Sequence, residues 1–306
     1  MMRTVLFAVP PRVHLLDLAG PAQAFATAND HGGAYRLRYV STSAEVVSHQ
    51  GLPLSLDVDW PDLTDRDVVV VPGRRTGERP PRRWLDAGTA TALRAHHAAG
   101  GRVASVCSGA FAVAETGLLD GRRATTHHEI QDELARRFPA VHVVRDVLYV
   151  ADGRVATSAG IASGIDLALH LIGADHGPAV AGRVARSLVV PVRRNGAAPQ
   201  ASVMLRHRDH VVDTVHRVQD VLDTQFTRAL PLRRLAEIGG VSERTLTRQF
   251  TAAVGMTPAH YQQQLRLERA RQLAEQGWTL EASARSVGFT DARMLRRLRA
   301  RHGFGG

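Results

Sequence analysis

Residues 232–250 read LRRLAEIGGVSERTLTRQF, and residues 280–298 read LEASARSVGFTDARMLRRL. Both stretches place apolar residues at helical spacing on either side of a glycine-containing turn. The first does so with Leu232, Leu235 and Ala236, then Leu246 and Phe250; the second with Leu280 and Ala284, then Leu295 and Leu298. The small residue Ala236 or Ala284 faces the neighbouring helix, and Ser242 or Thr290 stands where the N-cap of the following helix is expected. The pattern predicts a helix-turn-helix unit written twice. A helix from Pro258 to about Gln276 joins the copies. At 1.5 Å per residue it spans ~28 Å, enough to hold two recognition helices about one DNA turn apart.

In the first copy, Leu246 and Phe250 lie four residues apart and pack the recognition helix onto its scaffold. This turns Glu243, Arg244, Thr247 and Arg248 to the outer face. Early residues of such a helix reach base edges and later ones phosphates, which makes these four the candidate DNA contacts, Arg244 and Arg248 foremost. In the second copy Arg293, Arg296, Arg297, Arg299 and Arg301 crowd one helix and its end. That arrangement repels itself unless a polyanion neutralises it, so Arg293, Arg296 and Arg297 join the candidates. A charged helix face is ordinarily only solvated; the arginine crowding and the length of the joining helix shift the reading to DNA.

Ahead of this helical third, short β-rich runs alternate with helical stretches from Arg3 to about Val192. The expected strands are Thr4–Val9, Leu37–Ser41, Asp67–Val71, Arg102–Val106, Ala124–Thr126, Val141–Arg145, Leu148–Ala151 and Arg154–Thr157. The expected helices are Gly20–Ala28, Thr89–Ala99, Gly109–Thr116, Ile130–Phe138 and Ile161–Ile172. Such alternation predicts a doubly wound α/β domain with a mostly parallel sheet. Residues 193–200, RRNGAAPQ, break the periodicity with charge, Gly and Pro. A linker is therefore expected over 193–208, between an α/β domain at 1–192 and an all-α domain at 209–306.

The 306 residues are comfortable for two domains, and a hydrophobic content of 44% supports packed cores. The formal charge is +10, and all 39 basic residues are arginine, an excess that points to a nucleic-acid partner. No apolar stretch approaches the ~20 residues of a membrane helix, and a cytoplasmic protein without membrane contact is expected. The single cysteine excludes an intrachain disulfide and an all-cysteine zinc site. His14, His49, His96 and His97 lack ligand-like spacing and read as surface or packing residues, so neither metal nor cofactor is expected. The Arg- and Pro-rich loop Arg74–Arg83 reads as an exposed variable loop.

That cysteine lies in RVASVCSGA, residues 102–110, between a strand and a helix. A residue in such a turn is held in a strained conformation at a helix N-terminus, where the dipole is expected to stabilise a thiolate. Nucleophiles sit in elbows of this kind. Close helix–strand packing needs the same small residues, so the motif alone does not separate chemistry from structure.

The run LRRLAEIGGVSERTLTRQFTAAVGMTPAHYQQQLRLERARQLAEQGWTLEASARSVGF resembles the AraC/XylS-type DNA-binding domain, over roughly Val211 to His302. The resemblance implies tandem DNA-binding modules on double-stranded promoter DNA, with RNA polymerase recruited or obstructed there. The second module departs from the pattern. Leu298 follows Leu295 by three residues, Arg299 stands where an aromatic is usual, and the chain has no proline-tyrosine helix after it like that at Pro258 and Tyr261. A loosely packed second module, contacting phosphates more than bases, is expected.

The segments LLDLAGPAQAF, VVVPGR, SVCSGAFAVAETGLLDGRRATTHHE and TSAGIASGIDLALHLI resemble the ThiJ/PfpI domain of the class I glutamine-amidotransferase-like superfamily, with its flavodoxin-like fold. They resemble in particular the subgroup fused to AraC-type domains. The resemblance implies that Asp17 lies beside Cys107 and that backbone amides near Gly73 and Ser108 form an anion pocket, with His127 a pocket or structural residue. Protease-like relatives carry a histidine directly after the cysteine, where this chain has Ser108, which argues against hydrolysis. The expectation is a DNA-binding transcription regulator, a homodimer through its N-terminal domain, with a non-catalytic ligand or redox sensor at Cys107. The alternative is a cysteine-dependent hydratase or hydrolase with a vestigial helical tail.

Overall fold

The computed structural model describes residues 2–75, 83–190, 196–198, 200, 207, 208, 210–275 and 277–301. The chain forms two compact units, Met1–Gln200 and Ala201–Gly306. Most of the loop expected at 74–83, much of the linker expected at 193–208, and the last five residues lie outside the described residues.

The first unit opens with β1 (Arg3–Ala8), α1 (Leu15–Asn29), β2 (Tyr35–Val40), and a hairpin of β3 (Glu45–Val47) and β4 (Pro53–Ser55). It continues through β5 (Val68–Val71), α2 (Ala87–Ala98), β6 (Arg102–Val106), α3 (Gly109–Glu115), β7 (Arg123–Ala124) and a single 3-10 turn at His128–Ile130. It ends with α4 (Gln131–Arg137), β8 (His142–Val143), β9 (Tyr149–Asp152), β10 (Val155–Ser158), α5 (Ser163–His176) and α6 (Pro178–Ser187). Six strands pair in the order β2-β1-β5-β6-β10-β9, all parallel except the β10–β9 hairpin at the edge.

The central strands are buried on both faces, as their unbroken apolar runs require. Val5 and Phe7 of β1 enter a core with Phe25, Leu167 and Leu169 of α1 and α5. Leu6 and Ala8 enter a second core with Leu93, Phe111 and Leu134 of α2, α3 and α4. Full burial of side chains of this size stabilises by about 1.5–3 kcal/mol each. An ion-pair cluster ties the strand starts together, where Asp175 receives Arg3 at 3.1 Å, Arg102 at 2.9 Å and the Tyr35 hydroxyl at 2.8 Å.

Several features depart from the sequence reading. The strands expected at Ala124–Thr126 and Val141–Arg145 shrink to Arg123–Ala124 and His142–Val143, which pair with each other outside the main sheet. Helix α1 begins at Leu15, five residues before the expected Gly20, because Gly20 serves close packing rather than a break: a Cβ there would lie 3.1 Å from Ile165 Cγ1. The β3–β4 hairpin and α6 were not anticipated, since three-residue strands and an Ala/Gly/Arg helix carry weak periodic signals.

The second unit is all helical: α7 (Asp213–Gln225), α8 (Leu232–Gly239), α9 (Glu243–Val254), α10 (Pro258–Glu275), α11 (Leu280–Ser286) and α12 (Ala292–Arg301). Val218, Leu222, Leu235, Leu246, Phe250, Tyr261 and Leu265 form one core. Leu267, Leu273, Ala284, Val287, Leu295 and Leu298 form the other. The second module is therefore not loosely packed at these positions: Leu295 is 1% exposed and Leu298 7%. Both leucines share one core with Leu267 and Leu273 of α10 and Ala284 of α11, so i,i+3 spacing suffices for a ten-residue helix.

Arg266 of α10 ties the two modules. Its guanidinium donates to Phe226 O at 2.7 Å, Arg228 O at 2.8 Å and Gly288 O at 3.0 Å, and lies 5.6 Å over the Phe289 ring.

Candidate functional site

In the first unit β6 ends at Val106, and the chain turns into α3 through Cys107 at φ +55°. A left-handed backbone at a residue with a side chain is costly, and tertiary bonds hold it here. The Cys107 N–H donates to Ser158 O at 3.0 Å, and Cys107 O accepts from Ala110 N at 3.2 Å and from the Thr126 hydroxyl at 2.8 Å. Two glycines wall the residue: a Cβ on Gly160 would fall 2.2 Å from Cys107 Cβ, and one on Gly73 would fall 2.4 Å from Asp17 Oδ2 and 2.8 Å from Cys107 Cβ. The Ser108 hydroxyl clasps the Gly73 segment, accepting from Arg74 N at 2.9 Å and donating to Arg74 O at 3.0 Å.

Asp17, in the first turn of α1, is 0% exposed. Its Oδ1 accepts the Ile161 N–H at 2.6 Å, while Oδ2 has no hydrogen-bond partner among the described residues. Burial raises the proton affinity of this carboxyl, partly offset by Ile161 N–H, His14 and the neighbouring Cys107 thiol. The thiol itself is pushed up, by burial first and then by the charge of Asp17, with the Ser108 N–H opposing. Burial and the carboxyl of Asp17 thus work against the thiolate that the start of this seven-residue helix is expected to stabilise.

His127 precedes the 3-10 turn, half-buried, with Nδ1 3.6 Å from Glu129 Oε2. Burial, then the adjacent His128, lower its proton affinity; Glu129 opposes, and Arg75 and His14 add to the lowering. Sequence reasoning set His14 and His49 aside as surface or packing residues, yet both belong to this neighbourhood. Their rings stack 6.2 Å apart, and His14 N–H donates to Gly73 O at 2.9 Å. The signal that could have found His14 is its place three residues before Asp17, at the mouth of the helix that carries the buried carboxyl.

In the second unit Ser242 caps α9, its hydroxyl accepting from Thr245 N at 3.2 Å, and Gly240 turns the chain in the left-handed region. Leu246 and Phe250 are 0% exposed, which turns Glu243, Arg244, Arg248 and Thr251 outward. Together with Thr247 and Leu232 they line an open groove. Thr247 is partly held, its hydroxyl donating to Glu243 O at 2.9 Å. Neither Arg244 nor Arg248 has a carboxylate partner among the described residues, whereas Arg233 and Arg234 on α8 share Glu237 at 3.4 and 3.3 Å.

In the second module Asp291, not the expected Thr290, caps α12, accepting from Met294 N at 2.9 Å. The helix starts one residue later than expected, and the carboxylate at its N-cap takes the N–H three residues on. Arg293 is exposed, Arg296 pairs with Glu281 at 3.2 Å, and Arg297 leans on Met294 Sδ at 3.4 Å. Mutual repulsion along α12 is thus relieved in part from within. Of Arg299 and Arg301 the side chains lie outside the description. Among the described residues no cluster of His, Cys, Asp or Glu is arranged to hold a metal, and no helix is long and apolar enough to cross a membrane.

Residues 3–174, more than half of the chain, match the DJ-1/PfpI family. The chain belongs to the DJ-1/PfpI family. In this DJ-1/PfpI protein residues 235–303 match a helix-turn-helix domain as well. The chain is 30% identical over 281 residues to the HTH-type transcriptional regulator CdhR of Pseudomonas aeruginosa, covering 90% of this chain and 81% of that protein. It is thus a transcription regulator of the AraC helix-turn-helix type with a DJ-1/PfpI unit in front. It is also 36% identical over 166 residues to the isonitrile hydratase of Pseudomonas putida, covering 54% of this chain and 68% of the hydratase. Among solved structures, a ThiJ/PfpI family protein from Pseudomonas syringae shares the fold, with a TM-score of 0.52 at 21% identity over 86% of this chain and 91% of that one.

Proposed function

We propose that the chain acts in the cytoplasm as a homodimer that binds a promoter sequence through Arg244, Thr247 and Arg248 of α9, with Glu243 beside them. Arg293, Arg296 and Arg297 of α12 contact the next stretch of duplex. In this reading residues 1–192 bind a small ligand or report an oxidant at Cys107 without turning over substrate, 193–208 join the units, and 209–306 bind DNA. The observation that carries the reading is the two-faced α9: one face is 0% exposed at Leu246 and Phe250, the other presents two arginines without a carboxylate partner among the described residues. An unpaired guanidinium on the outer face of a helix-turn-helix is what guanine edges and phosphates accept. Dimerisation through the first unit would raise the effective concentration of one helical unit once the other is seated, and RNA polymerase would be the next partner at the promoter.

The experiment is binding of the purified protein to DNA from its own upstream region and to a scrambled duplex, across a salt series. Preference for the upstream DNA with a steep salt slope is the expected result; equal, weak binding to both overturns it.

A second reading, a cysteine-dependent hydratase, is favoured by one observation: Asp17 lies beside Cys107 in a unit that resembles the isonitrile hydratase. Against it stands a thiol whose proton is held by burial and by Asp17. Turnover of small isonitriles that disappears in Cys107→Ala would establish this reading; no turnover in the intact protein removes it.

A further inference from the structure

Part of the stretch expected as a linker is bonded to the first unit, close to the elbow that carries Cys107. Gly196 O and Ala198 O both accept the Leu148 N–H, at 2.8 and 3.0 Å, and Gly196 O also takes the Tyr149 N–H at 3.3 Å, so residues 196–198 run against the start of β9. Only glycine permits this approach: a Cβ on residue 196 would fall 2.5 Å from Tyr149 O and 2.9 Å from the Tyr149 ring. Gln200, the last residue of the unit, then hooks the chain down. Its N–H donates to Asp146 Oδ1 at 3.1 Å, and its side-chain amide donates to Thr126 O at 2.9 Å and to Val147 O at 3.1 Å.

Thr126 is the joint. Its carbonyl holds Gln200, and its hydroxyl donates to Cys107 O at 2.8 Å. On the other side Leu148, whose N–H carries residues 196–198, accepts the Ala159 N–H at 2.8 Å, next to the Gly160 that walls Cys107. Thr126 is 0% exposed and Leu148 2%, so both paths from the elbow to the departing chain run through the interior. The hook is not fully satisfied: Gln200 Oε1 is buried without a hydrogen-bond partner among the described residues, and that loss of hydration offsets part of what the three donated bonds contribute. Release costs Thr126 little, because its carbonyl keeps the Gln131 amide as a second donor at 3.1 Å. Both residues that flank the hook are held in the left-handed region, Cys107 at φ +55° and Asp146 at φ +51°. A contact strained at its supports and short of one bond is poised to open when a support moves.

We propose that residues 196–198 and Gln200 form a latch between the Cys107 elbow and the DNA-binding unit: a group added at Cys107 shifts the Cys107 carbonyl, frees Gln200 through Thr126, and lengthens the connection to the helical unit. The proposal rests on the reading of the first unit as a sensor at Cys107 and supplies the route by which its signal leaves. Val190 N still donates to Ala185 O at 2.9 Å, and His207 O accepts from Gln219 Nε2 at 2.8 Å. Opening therefore extends the connection from residues 201–206 to 191–206, sixteen residues in place of six. The effective concentration of a second helical unit falls as about the −3/2 power of such a length, so under the sensor reading opening weakens DNA binding by the dimer about fourfold.

Hydrogen exchange followed by mass spectrometry on the full-length protein reads the latch at the amides of Leu148, Tyr149 and Gln200. Gln200→Glu sets a carboxylate against the carbonyls of Thr126 and Val147 and should speed their exchange at least about tenfold. Carbamidomethylation of Cys107, the only cysteine of the chain, with iodoacetamide should do the same in the wild type, and Cys107→Met adds bulk at that position whatever the reactivity of the thiol. Thr126→Val removes the hydroxyl and keeps the carbonyl, so in that background a group at Cys107 should no longer reach these amides, whereas a general loosening of the unit opens them in both. Exchange that stays slow at all three amides in the alkylated protein and in Cys107→Met overturns the proposal, as does exchange in the unmodified wild type already as fast as in Gln200→Glu. Fluorescence anisotropy on upstream DNA separates this from the sensor reading: amides that open while affinity for DNA is unchanged support the latch and refute the sensor.

Discussion

Arg248 and Phe250 stand two residues apart on α9 and face opposite ways, so replacing each by alanine separates contact with DNA from support of the helix. Phe250 is 0% exposed, and its ring meets that of Tyr261 edge-on at 5.6 Å. Deleting it opens a cavity against Leu235, Leu246 and Tyr261 and costs about 3–5 kcal/mol, a large share of the roughly 5–15 kcal/mol that holds a domain folded. For a domain of about 100 residues, where 1 kcal/mol moves Tm by about 4–8 °C, Phe250→Ala lowers the melting temperature of the helical unit by at least ~12 °C. Arg248 is exposed and has no carboxylate partner among the described residues, so Arg248→Ala changes stability by less than about 0.5 kcal/mol. It removes instead a base or phosphate contact of about 1–3 kcal/mol, which weakens upstream-DNA binding by roughly 5–150-fold. Circular dichroism melting and fluorescence anisotropy on labelled upstream DNA, at one salt concentration, measure the two effects. If Arg248→Ala binds within about twofold of wild type while its Tm is unchanged, α9 does not lie in the groove, and the DNA contacts assigned to it are wrong.

Other outcomes follow from single residues. Ser242→Ala leaves the Thr245 N–H without its cap and should cost about 1 kcal/mol in thermal unfolding, with Ser242→Asp restoring it. Gly160→Ala, which needs a Cβ 2.2 Å from Cys107 Cβ at φ +95°, should displace the elbow and raise the alkylation rate of the thiol, read by iodoacetamide labelling. For Asp17 the folded carboxyl holds its proton more tightly than the unfolded one, so the wild type loses stability as pH rises from the ordinary carboxylate range through the raised folded value. Asp17→Asn keeps an acceptor for Ile161 N–H and should be more stable than wild type at neutral pH, the difference vanishing in acid, as urea midpoints across pH would show. Arg266→Ala frees three carbonyls at the junction of the two modules and should weaken upstream-DNA binding while leaving the salt slope unchanged, because Arg266 touches protein rather than phosphate.

The sequence by itself determined the local architecture. Period-two and period-3.6 patterns with their glycine turns sufficed to place the parallel strands, the duplicated helix-turn-helix and the cysteine in its strand-to-helix turn, because each depends on residues close together in the chain. It also ranked Arg244 and Arg248 as outward-facing, since the positions of Leu246 and Phe250 fix the rotation of one helix. Tertiary structure alone decided what those groups meet. Thirty-nine arginines are equivalent as letters, yet packing sorts them into Arg266, a half-buried tie between modules, Arg296, paired with Glu281, and Arg102, held by Asp175 at the start of its strand. The thiol followed the same rule. Its place at a helix start was legible, but the direction in which its proton affinity moves was set by burial and by Asp17, ninety residues away in the chain. Electrostatic free energies depend on distance through space and on exclusion of water, and neither quantity is carried by sequence separation.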